Sequence, residues 1–292
     1  MKITTKVLLF ISFLITIILL PHLYFAQEEH TVWKPSKVQE NFDLHLFRST
    51  QSFNLPTAET LEKNNLLFEI SHRFIPTIKT GERDFWGFDG PVNIRIALAY
   101  SPTNHTMISL GRSNLDGNVD LRIKQTFLQI KDDILPTMVG ARIGTAWNSW
   151  PSRPIPGRPH FNSKNFQYYG QLIINTMYEK RLGIGIVPSY LYNSYIYTND
   201  TQYSFTIGSY ITYYPTEILG LTFEWNATVT GFRVLSNPAA FGVEINTGGH
   251  FFKIILTNSV ELNPSQFLAG TRDSFNSGNW HIGFNITRLF EL

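Results

Sequence analysis

No cysteine occurs among the 292 residues, which excludes disulfides, thiolate catalysis, Cys-ligated zinc and a lipidated N-terminal cysteine. Charge is scarce as well, since Asp, Glu, Lys and Arg together make up 16% of the chain. The one long apolar run, Val7 to Leu20, falls short of the roughly 20 residues that a membrane-spanning helix needs. Gly-x-Ser-x-Gly and His-Glu-x-x-His are both missing, and the eight histidines form no cluster. No catalytic residue, metal site or cofactor is therefore expected.

What is abundant is aromatic side chains, 14% of the residues. They fall in segments that alternate apolar and polar positions with a period of two, the mark of a strand with one oily and one polar face. The closing stretch is the clearest. Trp280, Ile282, Phe284, Ile286, Phe290 and Leu292 alternate with His281, Gly283, Asn285, Thr287 and Glu291. Twelve such segments follow one another: 65–75, 91–101, 105–113, 118–130, 136–148, 165–177, 182–193, 203–214, 219–231, 239–247, 250–257 and 279–291. Most run 9 to 13 residues, closer to the roughly 9–11 of a tilted transmembrane strand than to a soluble strand of about 5–6.

Connection lengths alternate too. Around 101–104, 131–134, 179–181, 215–218 and 247–249 they are short. The connections 76–90, 149–164, 194–202, 232–238 and 258–278 are longer, and only 114–117 breaks the pattern. Short turns on one side and long loops on the other suit an outer-membrane barrel. The fold expected is all-β, a transmembrane antiparallel up-and-down barrel of about twelve strands over 65–292. Residues 1–26, with Lys2 and Lys6 before the apolar run and Ala26 at the end, have the pattern of a cleaved signal peptide. Residues 27–64 read as a periplasmic lead-in that either enters the lumen or adds a strand. Without Lys2 and Lys6 the 24 basic residues fall to 22, equal to the 22 acidic ones, so no nucleic-acid partner is expected.

Strand parity sends Glu69, Arg73, Arg95, Asp120, Arg122, Lys124, Arg142, Glu224, Glu244 and Lys253 into the lumen. They either pair across strands as a structural network or line a constriction whose slight basic excess favours anions. Asp120, Arg122 and Lys124, with Arg95 and Arg142 beside them, form the best cluster. Asp132-Asp133 reads as a solvated turn. The Pro-rich loop 150–160, with Arg153, Arg158 and His160, reads either as a stiff outer loop or as one whose cations touch lipopolysaccharide or cover the mouth.

Several motifs together resemble a known family: Glu59-Thr-Leu61, Leu66-Leu-Phe-Glu-Ile-Ser-His-Arg-Phe74, Phe88-Asp-Gly90, Leu110-Gly-Arg-Ser113, Phe241-Gly-Val-Glu-Ile-Asn-Thr-Gly-Gly-His-Phe-Phe252, Thr257-Asn258 and Gly283-Phe-Asn-Ile-Thr-Arg-Leu-Phe290. Over about 59–292 the chain is similar to a bacterial β-barrel family catalogued as domain of unknown function 5777. The resemblance implies an outer-membrane barrel and supplies no catalytic residues. It draws attention to Glu69, His72, Arg73, Glu244 and His250, which fall in the shared motifs and become the first candidates for whatever the interior does.

The leading expectation is a non-enzymatic outer-membrane barrel, either a narrow channel or a structural and binding barrel. Its expected partners are outer-membrane lipid, lipopolysaccharide and, through the last strand, the barrel-assembly machinery. The alternatives are an outer-membrane enzyme acting on lipid or peptide at the outer rim, and a soluble secreted β-protein.

Overall fold

The computed structural model describes residues 44–291. The expected signal peptide and residues 27–43 of the expected lead-in lie outside the described residues. Twelve antiparallel strands close into one barrel, each paired with its neighbours in the sequence and the last with the first. They are β1 Leu66–Phe74, β2 Val92–Thr103, β3 Thr106–Ser113, β4 Asn118–Ile130, β5 Thr137–Asn148, β6 Phe166–Tyr178, β7 Leu182–Tyr192, β8 Tyr203–Tyr213, β9 Leu219–Gly231, β10 Ala239–Asn246, β11 His250–Thr257 and β12 His281–Phe290. Every strand read from the sequence is present, with ends that differ by at most two residues. At the seam Leu66 faces Phe290 and Arg73 faces Gly283.

Alternation along each strand produces two unlike surfaces. Ile96, Leu98, Leu110, Leu121, Ile123, Ile186, Ile211, Phe223 and Ile254 all lie exposed on the outside. Exposed aromatics collect at both ends of the wall, with Tyr168, Tyr190, Tyr192 and Tyr203 toward the long loops and Tyr100, Phe127, Tyr178, Tyr213 and Phe290 toward the short turns. This is the banded exterior of a barrel in lipid. Arg112 and Arg288 are the only Asp, Glu, Lys or Arg residues on the outward parity of the strands, and both lie near strand ends. Long basic side chains there can reach the polar boundary.

A bulge interrupts β4, where the pairing with β5 shifts between Thr126 and Leu128. The extra residue lets Phe127 and Leu128 both face outward, at 51% and 44% exposure. It also returns Gln129 to the interior, where its Oε1 accepts the Leu44 amide at 3.1 Å. Bulges do this by placing two residues against one across the ladder.

The interior is packed. Residues 44–65 enter from the short-turn end, make a tight turn near 52–55 and return to β1. The turn is closed by the Ser52 amide donating to the Leu55 carbonyl at 2.8 Å. Apart from the isolated bridge Gln51–Pro56 these residues form no strand, so the twelve-strand count stands. From the opposite end the 258–280 connection folds inward, with one helical turn at Pro264–Phe267. Leu46, Phe47, Leu55 and Ala58 of the first insertion and Phe267, Leu268 and Ala269 of the second share one apolar core. Its wall is Met138, Tyr169, Ile173, Met177, Val187, Leu191 and Tyr210 of β5–β8. Gly208 is small because of this packing, since a Cβ there would lie 2.7 Å from the Leu55 methyls.

Candidate functional site

All ten charged residues expected in the lumen face inward. Their surroundings divide them into two groups. The first grips the main chain of the inner segment. Glu224 is buried on β9 and accepts the amides of Phe53, Asn54 and Leu55, each at 3.0 Å, and the Asn54 side-chain amide at 3.0 Å. Lys124 donates to the carbonyls of Thr50 at 2.8 Å and Thr57 at 3.1 Å. Lys253 donates to the Ser52 carbonyl at 2.6 Å and to the Gln51 carbonyl, with Glu244 at 3.6 Å. Arg73 reaches the Asn54 side-chain carbonyl at 3.1 Å. Burying peptide groups requires partners for each of them, and the wall supplies these partners from strands far apart in the sequence.

The second group is an ion-pair network. Arg95 Nη1 meets Glu69 at 3.0 Å, its Nη2 meets Asp120 at 3.2 Å, and Arg122 pairs with Asp120 as well. Arg95 is on β2, two strands from Asp120 on β4, rather than on the neighbouring strand. It crosses β3 at Gly111, where a Cβ would come within 2.3 Å of its Nη2. The glycine is what permits the contact. Asn263, from the inward-folded 258–280 connection, accepts from Arg95 Nε at 2.6 Å and Arg122 Nη2 at 3.0 Å. Arg142 stands apart, with its Nε donating to Gln171 at 2.8 Å.

Two candidates lie elsewhere. His72 and His250 hold even positions on strands whose odd positions point inward, so both face outward. His72 stacks on Phe284 at 4.3 Å, and His250 contacts Arg288 at 3.1 Å near the short-turn end. Neither joins the interior charges, a correction to the role that the shared motifs suggested. Residues the strand pattern did not single out also matter. Glu59 accepts the Leu46 and Phe47 amides at 2.6 and 2.9 Å, and Asn263 caps the two arginines. Glu59 sat in a shared motif without a strand to give it direction. Asn263 sat in a loop.

The outer connections are tied to one another. Arg158 donates to the Thr198 carbonyl at 2.6 Å and to Asn199 at 3.0 Å, while Asp116 accepts the Ser152 amide at 2.8 Å and the Tyr197 hydroxyl. Burial, then the bond to Asp116, pushes the Tyr197 hydroxyl well above the ordinary phenol range. At the short-turn end Asp132 accepts the amides of Leu135 and Ile134, which lower its carboxyl below the usual range. It is a turn cap.

Residues 47–290 match the family described as a membrane bound beta barrel domain, DUF5777. The chain belongs to this family. As a DUF5777 barrel it is a membrane protein, of the architecture that lies in the bacterial outer membrane, and the soluble alternative falls. Among solved structures it is similar to the NanC porin, at 13% identity over 78% of this chain and 100% of that one, with a TM-score of 0.47. It is similar also to the COG4313 outer membrane channel from Pseudomonas putida F1, at 11% identity, 80% and 98% coverage and a TM-score of 0.46. Omp33 of Acinetobacter baumannii follows, at 8% identity, 79% and 99% coverage and 0.39. No curated protein matches. The barrel of this DUF5777 chain is read from its own strand pairing, not from these likenesses.

Proposed function

We propose that the protein is a non-enzymatic outer-membrane barrel that works as a narrow, gated, anion-preferring channel, closed at rest by the segment 44–58. The observation that carries this reading is how the segment is held. Glu224, Lys124 and Lys253 bind its peptide groups, and water can replace each of those bonds when the segment leaves. A filler with no other task would be held by apolar packing on all sides, whereas here the apolar contacts are a main one with the β5–β8 wall and a small one of Phe53 with Ala240 and Ile255. That wall favours the second reading, a structural or partner-binding barrel that never opens.

An enzymatic role has less support. His281 pairs with Asp273 at 3.3 Å, but its Nδ1 is buried without any hydroxyl partner, so the nucleophile such a dyad would activate is missing among the described residues. Outer-membrane lipid and lipopolysaccharide surround the barrel. A cleft of about 460 Å³ bordered by Phe223, Trp225, Arg233 and Leu235 suits an acyl chain with an anionic head. β12 is the strand presented to the assembly machinery.

The test uses the absence of native cysteine. Leu55→Cys with Gly208→Cys would join the segment to β8 in an otherwise thiol-free protein. In planar bilayers the reduced protein is expected to give small, anion-preferring currents and the oxidised protein none. A folded, heat-modifiable barrel that is silent in both states would remove the channel and leave the structural reading.

A further inference from the structure

The charge network leaves two cations without counter-charge beside an enclosed space. A cavity of about 20 Å³ lies between Thr50 and Gln51 of the inner segment and the wall residues Glu69, Arg95, Arg122, Lys124 and Arg142. Arg95 and Arg122 are matched by Glu69 and Asp120. Lys124 and Arg142 are not. Lys124 binds only carbonyls. Arg142 binds the neutral Gln171, is 4% exposed, and its Nη2 is buried with no acceptor. The Tyr169 hydroxyl, in electrostatic reach of Arg122 and Arg142, is likewise buried without a partner. The next carboxylate, Glu59, directs its oxygens at the Leu46 and Phe47 amides and at His45.

Buried cations without a counter-charge are strongly unfavourable, and orphan donors in the same place add to the penalty. A single anion relieves both. The volume limits its identity, because space on the scale of one water admits a compact monovalent ion and excludes phosphate or a sugar acid. The geometry points to a buried halide site, with chloride as its physiological occupant, bound by Arg142 and Lys124 and closed over by Thr50 and Gln51. The ion halves the excess positive charge of the wall where the inner segment rests on it, so halide binding and the seated segment stabilise each other. The site goes beyond the channel reading and stands whether or not the barrel conducts.

The test uses the full-length folded protein with bromide as the probe. Crystals grown in sodium bromide are expected to show an anomalous peak in the cavity, within about 3.5 Å of Arg142 Nη2, as charge-assisted contacts to a large anion require. In detergent, the unfolding midpoint is expected to rise saturably with chloride or bromide, compared with gluconate at equal ionic strength. Arg142→Met should weaken the apparent halide affinity at least tenfold, while Arg112→Met, on the lipid face, leaves it unchanged. An empty cavity in the bromide crystals overturns the proposal even if Arg142→Met fails to fold. So does a halide dependence that survives Arg142→Met. Currents that persist in a barrel without a bromide peak would sink the halide site and spare the channel.

Discussion

Replacing Glu224 with alanine tests whether the inner segment is held by its main chain. The carboxylate receives three backbone amides and one side-chain amide, all at 3.0 Å, and the substitution leaves these donors buried without an acceptor. Each orphaned amide costs about 1–3 kcal/mol. Because water can occupy part of the vacated space, the lower end applies, and three amides sum to about 3–5 kcal/mol. At about 1.4 kcal/mol per decade the unseated population rises roughly 10²- to 4 × 10³-fold. Glu224→Gln keeps one oxygen acceptor but no charge, and since charge-assisted bonds are about twice as strong as neutral ones, its cost is smaller, about 1–2 kcal/mol. Hydrogen exchange of the protein in detergent micelles reads this directly. Amides 53–55 should lose protection in the order wild type, Gln, Ala, while β8 and β9 stay protected. Unchanged exchange at 53–55 in Glu224→Ala would refute the grip, and uniform loss across β8–β10 would mean that the carboxylate supports the wall instead.

Gly111→Ala places a methyl group against the Arg95 guanidinium and should destabilise the barrel by about 3–5 kcal/mol, the scale for breaking a buried pair, seen as a lower urea midpoint. Ile123→Arg sets a cation on the exposed middle of β4, at a cost of about 2–4 kcal/mol in lipid, seen as weaker folding into vesicles. Glu179 and Lys180 both adopt positive φ in the turn after β6, which Asn-Gly fits better; Glu179→Asn with Lys180→Gly should stabilise by about 1 kcal/mol in the same urea assay. Burial raises the carboxyl of Glu261, where Ser259 donates to it at 2.7 Å. A raised carboxyl favours the folded form when protonated, so its contribution is full below the unfolded value and is lost as pH rises through the folded one. The 258–280 connection should therefore be better protected from protease at pH 5 than at pH 8. His281 and Asp273 lie nearby, so Glu261→Gln is the control that must abolish the difference.

The barrel was legible because lipid outside and polar groups inside impose a strict period of two, and a slip of one residue would expose Arg95 or Lys124 to lipid. Parity therefore located the ten charges that the strands turn inward. It could not say what they touch. Residues 44–65 and 258–280 carry no period, and their bonds to Glu224, Lys124 and Asn118 span 67 to 171 positions. Gly111 shows the same limit from the other side, since a glycine at an inward position signals that something must pass over it without naming Arg95. The histidines failed differently. His72 and His250 were chosen for the motifs they sit in, and parity alone would have sent them outward.

Closure of β1 on β12 has a consequence for the order of assembly. Each hairpin forms between neighbours in the sequence, but the partners of Phe53 lie on β9 and β12, the latter 232 residues away. The first part of the barrel chain to leave the ribosome is thus the last to find its complement. Its polar backbone must stay solvated until twelve strands surround it, and the hoop completes around a guest tethered to its own first stave. A chain truncated before β12 would leave the seam open and the guest unhoused, so its N-terminal tryptic sites should remain cleavable however many hairpins have formed.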